Sequence, residues 1–121
     1  FEKVLDFARK DDFVYFDPPY IPISKTSGFT RYSKCDFSIR EQNHLSEVFR
    51  LLDSRGCFVM LSNSDHPLTR ELYRKYEKNI VLVRAKRKIN SVGSKRTAIN
   101  ELVVTNYLTG RPTTFARALN L

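Results

Sequence analysis

Apolar residues fall along this chain in short runs separated by charged and turn-forming segments, and their spacing predicts alternating helices and strands. Phe1, Val4, Leu5 and Ala8 lie on one face of a helix over residues 1–9. Phe13-Val14-Tyr15-Phe16 is continuously apolar, aromatic and β-branched, and is bounded by charge, the pattern of a buried strand. It stops at two prolines, which supply no N–H and fix φ. Residues 20–36, rich in Ser, Thr, Lys, Pro and Gly, read as a long loop; loops of that length without structure of their own are usually functional or disordered. Ser38, with Glu41 three residues on, forms a capping box opening a helix that runs to about Leu52 and buries Ile39, Leu45, Val48, Phe49 and Leu52. Asp53-Ser54-Arg55-Gly56 closes it, and Cys57–Ser62 is a second buried strand. A further helix over Pro67–Tyr76 is opened by Ser64 or Asp65. Asn79–Arg84 and Asn100–Tyr107 are the third and fourth strands, with no helix between them, so they pair antiparallel.

A helix joining two buried strands is a parallel βαβ unit. The predicted fold class is therefore α/β, a mostly parallel sheet with one antiparallel strand and flanking helices. Residues 1–107 form the domain. Residues 108–121 carry few apolar anchors and are expected to fray.

The candidate chemistry begins where the first strand ends, at Asp17-Pro18-Pro19-Tyr20. Asp17 stands at the carboxyl end of a strand, where open α/β sheets place their ligands. Carbonyls that precede prolines have no neighbouring N–H competing for them, and an aromatic ring follows at once. Two acceptors beside a flat surface suit a planar group bearing an NH₂, such as a nucleobase amine. The plainer alternative is a rigid strand-to-loop turn with Asp as its cap.

Charge strengthens the first reading. The 121 residues carry 21 Lys+Arg against 13 Asp+Glu, a net charge of +8. Arg84, Lys86, Arg87, Lys88, Lys95 and Arg96 fall in one stretch without an acid. Such a run by itself is a solvated loop; beside a base-binding motif it points to phosphate contact. Cys35, Cys57, His44 and His66 lack metal-ligand spacing, so no metal is expected. No apolar run approaches a membrane span and the start is not signal-like, so neither membrane nor secretion is indicated, and a reduced, cytoplasmic setting is expected.

Asp17 to Tyr20 resembles the catalytic motif of amino-directed, S-adenosylmethionine-dependent DNA methyltransferases. The following Ile21 to Tyr32, then Met60-Leu61-Ser62-Asn63-Ser64, then Glu101 to Tyr107, resemble the Dam-type DNA adenine methyltransferases in the same order. That family carries a Gly-rich cofactor loop and a target-recognition segment before Asp-Pro-Pro-Tyr. Only sixteen residues precede Asp17, none of them glycine, and Gly28, Gly56, Gly93 and Gly110 make no Gly-x-Gly-x-x-Gly turn. The resemblance thus implies the C-terminal half of a catalytic domain. Its partner would be the missing N-terminal half, in cis or in trans, holding most of the S-adenosylmethionine site. The sheet would be part of a Rossmann-like methyltransferase sheet, its first strand at an uncovered edge, so the chain alone should be poorly soluble, self-associating or partner-dependent.

The same resemblance implies site-specific transfer of a methyl group to the N6 amine of an adenine flipped out of duplex DNA. The Asp17 carboxylate and Pro18 carbonyl would accept the amine hydrogens, with Asp17 also beside the cofactor. Pro19 would stiffen the turn and Tyr20 would stack on the base. Lys86, Arg87, Lys88, Lys95 and Arg96 would meet phosphates, with Asn90 and Ser91 as neutral contacts. Thr26, Phe29 and Tyr32 would close over the base or backbone, or simply pack within their loop. Ser62-Asn63-Ser64 either shapes the pocket floor or, the preferred reading, caps the next helix. Two other outcomes stay open: a non-catalytic DNA-binding or assembly remnant, and methylation of cytosine N4.

Overall fold

A computed structural model of the chain describes residues 1–22, 37–86 and 98–109. Four strands form one sheet: β1 (Phe13–Phe16), β2 (Phe58–Ser64), β3 (Val81–Lys86) and β4 (Ala98–Thr105), in the order β1-β2-β4-β3. β1 pairs parallel to β2, and β4 lies antiparallel to both β2 and β3. Three strands therefore point one way and β4 alone runs against them, as expected for the mixed α/β class.

The long helix α1 (Ile39–Arg55) joins β1 to β2. Ser38 caps it as predicted: its Oγ accepts from the Glu41 N–H at 3.4 Å and donates to Glu41 Oε1 at 3.1 Å. Gly56 ends it at φ 91°, where an added Cβ would sit 3.0 Å from Lys10 Cγ, so only glycine fits without strain. The helix extends three residues past the predicted Leu52. It buries Leu45, Val48, Phe49 and Leu52 as expected, while Ile39 is only partly buried and the polar Gln42 and Ser46 are fully buried.

Three local expectations change. Residues 1–9 form only a 3₁₀ turn over Glu2–Asp6. So short a segment cannot offset helix nucleation, although Val4, Leu5 and Ala8 still face the core. The second helix, α2, covers only Pro67–Leu72, and a separate 3₁₀ segment follows at Arg74–Asn79. Tyr73, at the junction of the two, and Tyr76, at a kink in the second, both pack against Phe49, with ring centroids 5.3 and 4.8 Å away. The cap of α2 is His66, whose Nδ1 accepts from the Leu68 N–H at 3.0 Å, rather than Ser64 or Asp65. Asp65 instead pairs with Arg70 at 2.7 Å.

β1 is not buried as predicted. Val14 and Phe16 pack on the core beneath α1, but Phe13 is 59% and Tyr15 51% exposed on the other face. Phe58 beside them, and Val81 and Val83 across the sheet, are also exposed. Helix α1 covers only one side, so the alternating strand positions meet different surroundings. At the far end of β2, Asn106 closes the core. Its side chain accepts from the Val59 N–H and donates to the Cys57 carbonyl and to Asp53, which Tyr76 also bonds.

Candidate active site

Because β1 and β2 are parallel, their carboxyl ends reach the same edge of the sheet. The antiparallel β4 brings its early residues there too, with Glu101 in register with Ser64. β3 ends at that edge as well, and its pairing of Lys86 with Ala98 carries the β3–β4 ribbon beyond the end of β2. Asp17, Pro18, Pro19, Tyr20 and Glu101 line one open cleft of about 490 Å³ at this edge.

Ser62 organises the acidic side of the cleft. Its hydroxyl donates to Asp17 Oδ1 at 3.1 Å and lies 2.8 Å from the Tyr15 hydroxyl. A serine has one proton to donate, so with that proton on Asp17, Tyr15 donates into Ser62. One oxygen of Asp17 is thereby engaged by the protein. Tyr20 donates to Glu101 Oε2 at 3.4 Å. Burial pushes the Tyr20 phenol up, and the Glu101 and Asp17 charges add to it. The phenol therefore stays protonated at neutral pH and serves as a donor.

Behind the turn lies a second, fully buried set of polar groups. Asn63 Oδ1 accepts from the Ile21 N–H at 3.1 Å and the Ser64 N–H at 2.8 Å, and Ser64 Oγ donates to the Ile21 carbonyl at 2.6 Å. Asn63 Nδ2 donates to Gln42 Oε1 at 3.0 Å, and Gln42 Nε2 donates to the Pro19 carbonyl at 2.9 Å. The next helix is capped by His66, not by this segment as expected: Ser62 holds Asp17, while Asn63 and Ser64 hold the backbone at Ile21 behind the cleft.

All four motif residues line the cleft. Of the other predicted contacts, Thr26, Phe29, Tyr32, Arg87, Lys88, Asn90, Ser91, Lys95 and Arg96 lie outside the described residues, and of Lys86 only the backbone is described. Sequence reasoning missed Glu101 and Gln42. The signal for Gln42 was present: it is a polar residue on the same face of α1 as Ile39, Leu45, Phe49 and Leu52. His44 stays away from the cleft, 2.7 Å from Glu2. Cys57 is a buried core thiol donating to the Arg9 carbonyl, with its pKa raised by burial. Among the described residues no group of His, Cys, Asp and Glu could hold a metal ion, and no helix is long and apolar enough to cross a membrane.

A family model for D12 class N6 adenine-specific DNA methyltransferases matches residues 1–89. The chain is 50% identical over 107 residues to the type II methyltransferase M1.LlaDCHI of Lactococcus lactis subsp. cremoris, covering 88% of this chain and 37% of that protein. It is 47% identical over 109 residues to the type II methyltransferase M.MjaIII of Methanocaldococcus jannaschii, covering 88% and 37%. Against the DNA adenine methylase of Escherichia coli K12 it is 43% identical over 98 residues, covering 79% and 34%. The chain belongs to the D12 class of N6 adenine-specific DNA methyltransferases, and spans little more than a third of the length of these curated relatives.

Proposed function

We propose that this chain is the catalytic-motif part of a site-specific DNA adenine-N6 methyltransferase that uses S-adenosylmethionine. The observation that carries this reading is the convergence of Asp17, the Pro18–Pro19 turn and Tyr20 on one acceptor-rich cleft at the carboxyl edge of the sheet, in a chain of this family.

The amine of adenine is a poor nucleophile because its lone pair is delocalised into the ring. Asp17 has one oxygen held by Ser62, so Oδ2 accepts one amine hydrogen. The Pro19 carbonyl is held by Gln42, which leaves the acceptor role for the second hydrogen to Pro18. Held at both hydrogens, the nitrogen moves towards tetrahedral geometry and its lone pair turns out of the ring plane. Tyr20 stacks on the base, a contact worth about 1–3 kcal/mol against the few kcal/mol that flipping costs.

The residues present suit the methyl donor, since the carboxylates of Asp17 and Glu101 face a cleft where positive charge would be favoured. When bound, S-adenosylmethionine supplies a methyl group activated on a sulfonium. The methyl carbon would pass from sulfur to the amine nitrogen, leaving a neutral thioether, and Asp17 would be placed to take the amine proton.

Strand ends flanking residues 87–97, and Pro22 just before residue 23, stand at the edge that carries Asp17. This supports phosphate contacts from Lys86, Arg87, Lys88, Lys95 and Arg96, neutral contacts from Asn90 and Ser91, and base or backbone contacts from Thr26, Phe29 and Tyr32. The uncovered face around Phe13, Tyr15 and Phe58 supports a partner segment, the remainder of a Rossmann-like methyltransferase sheet and its helices, bearing most of the methyl-donor site. A strand apolar on both faces is typical of a sheet covered on both sides.

The test is transfer of radiolabelled methyl from S-adenosylmethionine to duplex DNA, by this chain alone and with the polypeptide encoded just upstream. Activity is expected in the mixture, with N6-methyladenine as product. Asp17→Ala should cost at least about 100-fold, the scale of removing one preorganised transition-state contact, with the fold intact. An Asp17→Ala protein that still methylates sinks the role of Asp17. Silence of the mixture alongside salt-sensitive DNA binding identifies a non-catalytic binding module.

A further inference from the structure

Gln42 is a polar side chain at a position where the core stripe of α1 calls for an apolar one. It sits on the core side of α1, fully buried, between Ile39 and Leu45, where an apolar side chain would extend the stripe. A buried amide is tolerated only when its hydrogen bonds are made, and those of Gln42 lead to the candidate site. The amide orientations form a consistent set. Asn63 Oδ1 receives two backbone N–H groups, from Ile21 and Ser64, so its Nδ2 faces Gln42. Gln42 therefore presents Oε1 to Asn63 and Nε2 to the Pro19 carbonyl.

We infer that Gln42 and Asn63 form a two-amide clamp whose task is to position the Asp17–Tyr20 turn, an inference that rests on the methyltransferase reading of that turn. The clamp grips the turn at two points on either side of Tyr20, the Pro19 carbonyl and the Ile21 N–H. Proline offers no N–H at 18 or 19 through which the backbone could be tied down, so the carbonyl of Pro19 and the N–H of Ile21 supply the anchoring points. Engaging the Pro19 carbonyl also takes it out of competition with that of Pro18, and so selects which acceptor faces the substrate amine. Gln42 and Asn63 touch no substrate in this arrangement; they are positioning residues. Ser64, donating to the Ile21 carbonyl, supports the same anchor.

The decisive variants are Gln42→Met, which keeps size and loses the donor, and Asn63→Asp, which keeps the acceptor for Ile21 and Ser64 but loses the N–H to Gln42. In the intact methyltransferase, both are expected to lower kcat by about 10- to 100-fold, since misplacing reacting groups by about 1 Å costs up to ~100-fold. KM for DNA should stay within about twofold, because phosphate contacts lie elsewhere. Combined, the two variants should be little worse than either alone, as expected of residues acting as a unit.

Hydrogen exchange of the Ile21 amide is the readout that needs no activity. Gln42→Met should speed it at least tenfold relative to the amides of β2, whereas a residue serving the core alone would loosen both together. Unchanged kcat with unchanged Ile21 exchange overturns the clamp. If Gln42→Met does not fold, Gln42→Glu, which keeps Oε1 for Asn63 and loses the donor to Pro19, carries both measurements. A wild-type protein without methyl transfer defeats the proposed function, while the exchange measurement still decides whether Gln42 holds the turn.

Discussion

Both faces of the sheet carry large apolar residues, and most of these meet opposite surroundings on the two sides. On one, Phe16, Val59, Leu61 and Val104 lie under Phe49 and the rest of the α1 stripe and are almost wholly buried. On the other, Phe13, Tyr15, Phe58, Val81 and Val83 remain 39–59% exposed. Apolar side chains on a strand report that a face is meant to be covered, not what covers it. The covered face carries the stability of this chain; the open one is where, on the proposed reading, a completing segment would dock. Both faces meet at the carboxyl edge, where Asn63 reaches the turn from beneath α1, and Tyr15 and Ser62 form the Asp17 contact.

The contrast can be tested in order of expected effect. Phe49→Ala, between the rings of Tyr73 and Tyr76 under the covered face, should destabilise by about 3–5 kcal/mol in a urea unfolding curve. A loss below about 1 kcal/mol would mean the covered face is not the main core.

Alkaline pH should weaken the same face. Burial pushes Tyr73 and Tyr76 well above the ordinary phenol value of 10.0, a bond and charge from Asp53 adding to it at Tyr76, and pushes Cys57 above the ordinary thiol value of 9.0. Groups raised in the folded state contribute stability that is intact below their unfolded pKa and lost as pH rises towards the folded one. Tm should therefore hold up to about pH 9 and fall above about pH 10, with Tyr73 and Tyr76 ionising only as the protein unfolds. Ionisation of both near pH 10 in a still-folded protein would contradict their burial.

Phe13→Ser on the open face should change stability by no more than about 0.5 kcal/mol in the chain by itself, while reducing self-association in sedimentation. With the completing segment present the same change should become costly. Equal, large costs in both settings would show that the open face is already part of this chain's own core.

Much of the architecture was legible in the residues. The capping box at Ser38 and Glu41, the left-handed stop at Gly56, the parallel β1–α1–β2 unit and the antiparallel β3–β4 pair all follow from interactions within a few residues or from the absence of a connecting helix. The Asp17–Tyr20 turn was legible for the same reason: two prolines define it locally. What escaped was the exposure of β1, the break between α2 and Arg74, and the roles of Ser62, Asn63, Gln42 and Glu101. A continuous apolar run cannot tell one covered face from two, and a polar residue on a helix stripe does not say what it bonds.

The sequence by itself determined the four strands and the long helix, the family resemblance and the motif that offers acceptors and an aromatic ring. Tertiary structure alone decided which of that motif's acceptors are already engaged within the chain. The contacts that settle it join Asp17 to Ser62, Pro19 to Gln42, Ile21 to Asn63 and Tyr20 to Glu101, partners separated by between 23 and 81 residues. Such pairs arise only when strand order and register bring distant chain segments to one edge. Local periodicity carries no record of that register, because each strand's pattern is satisfied whichever neighbour it finds.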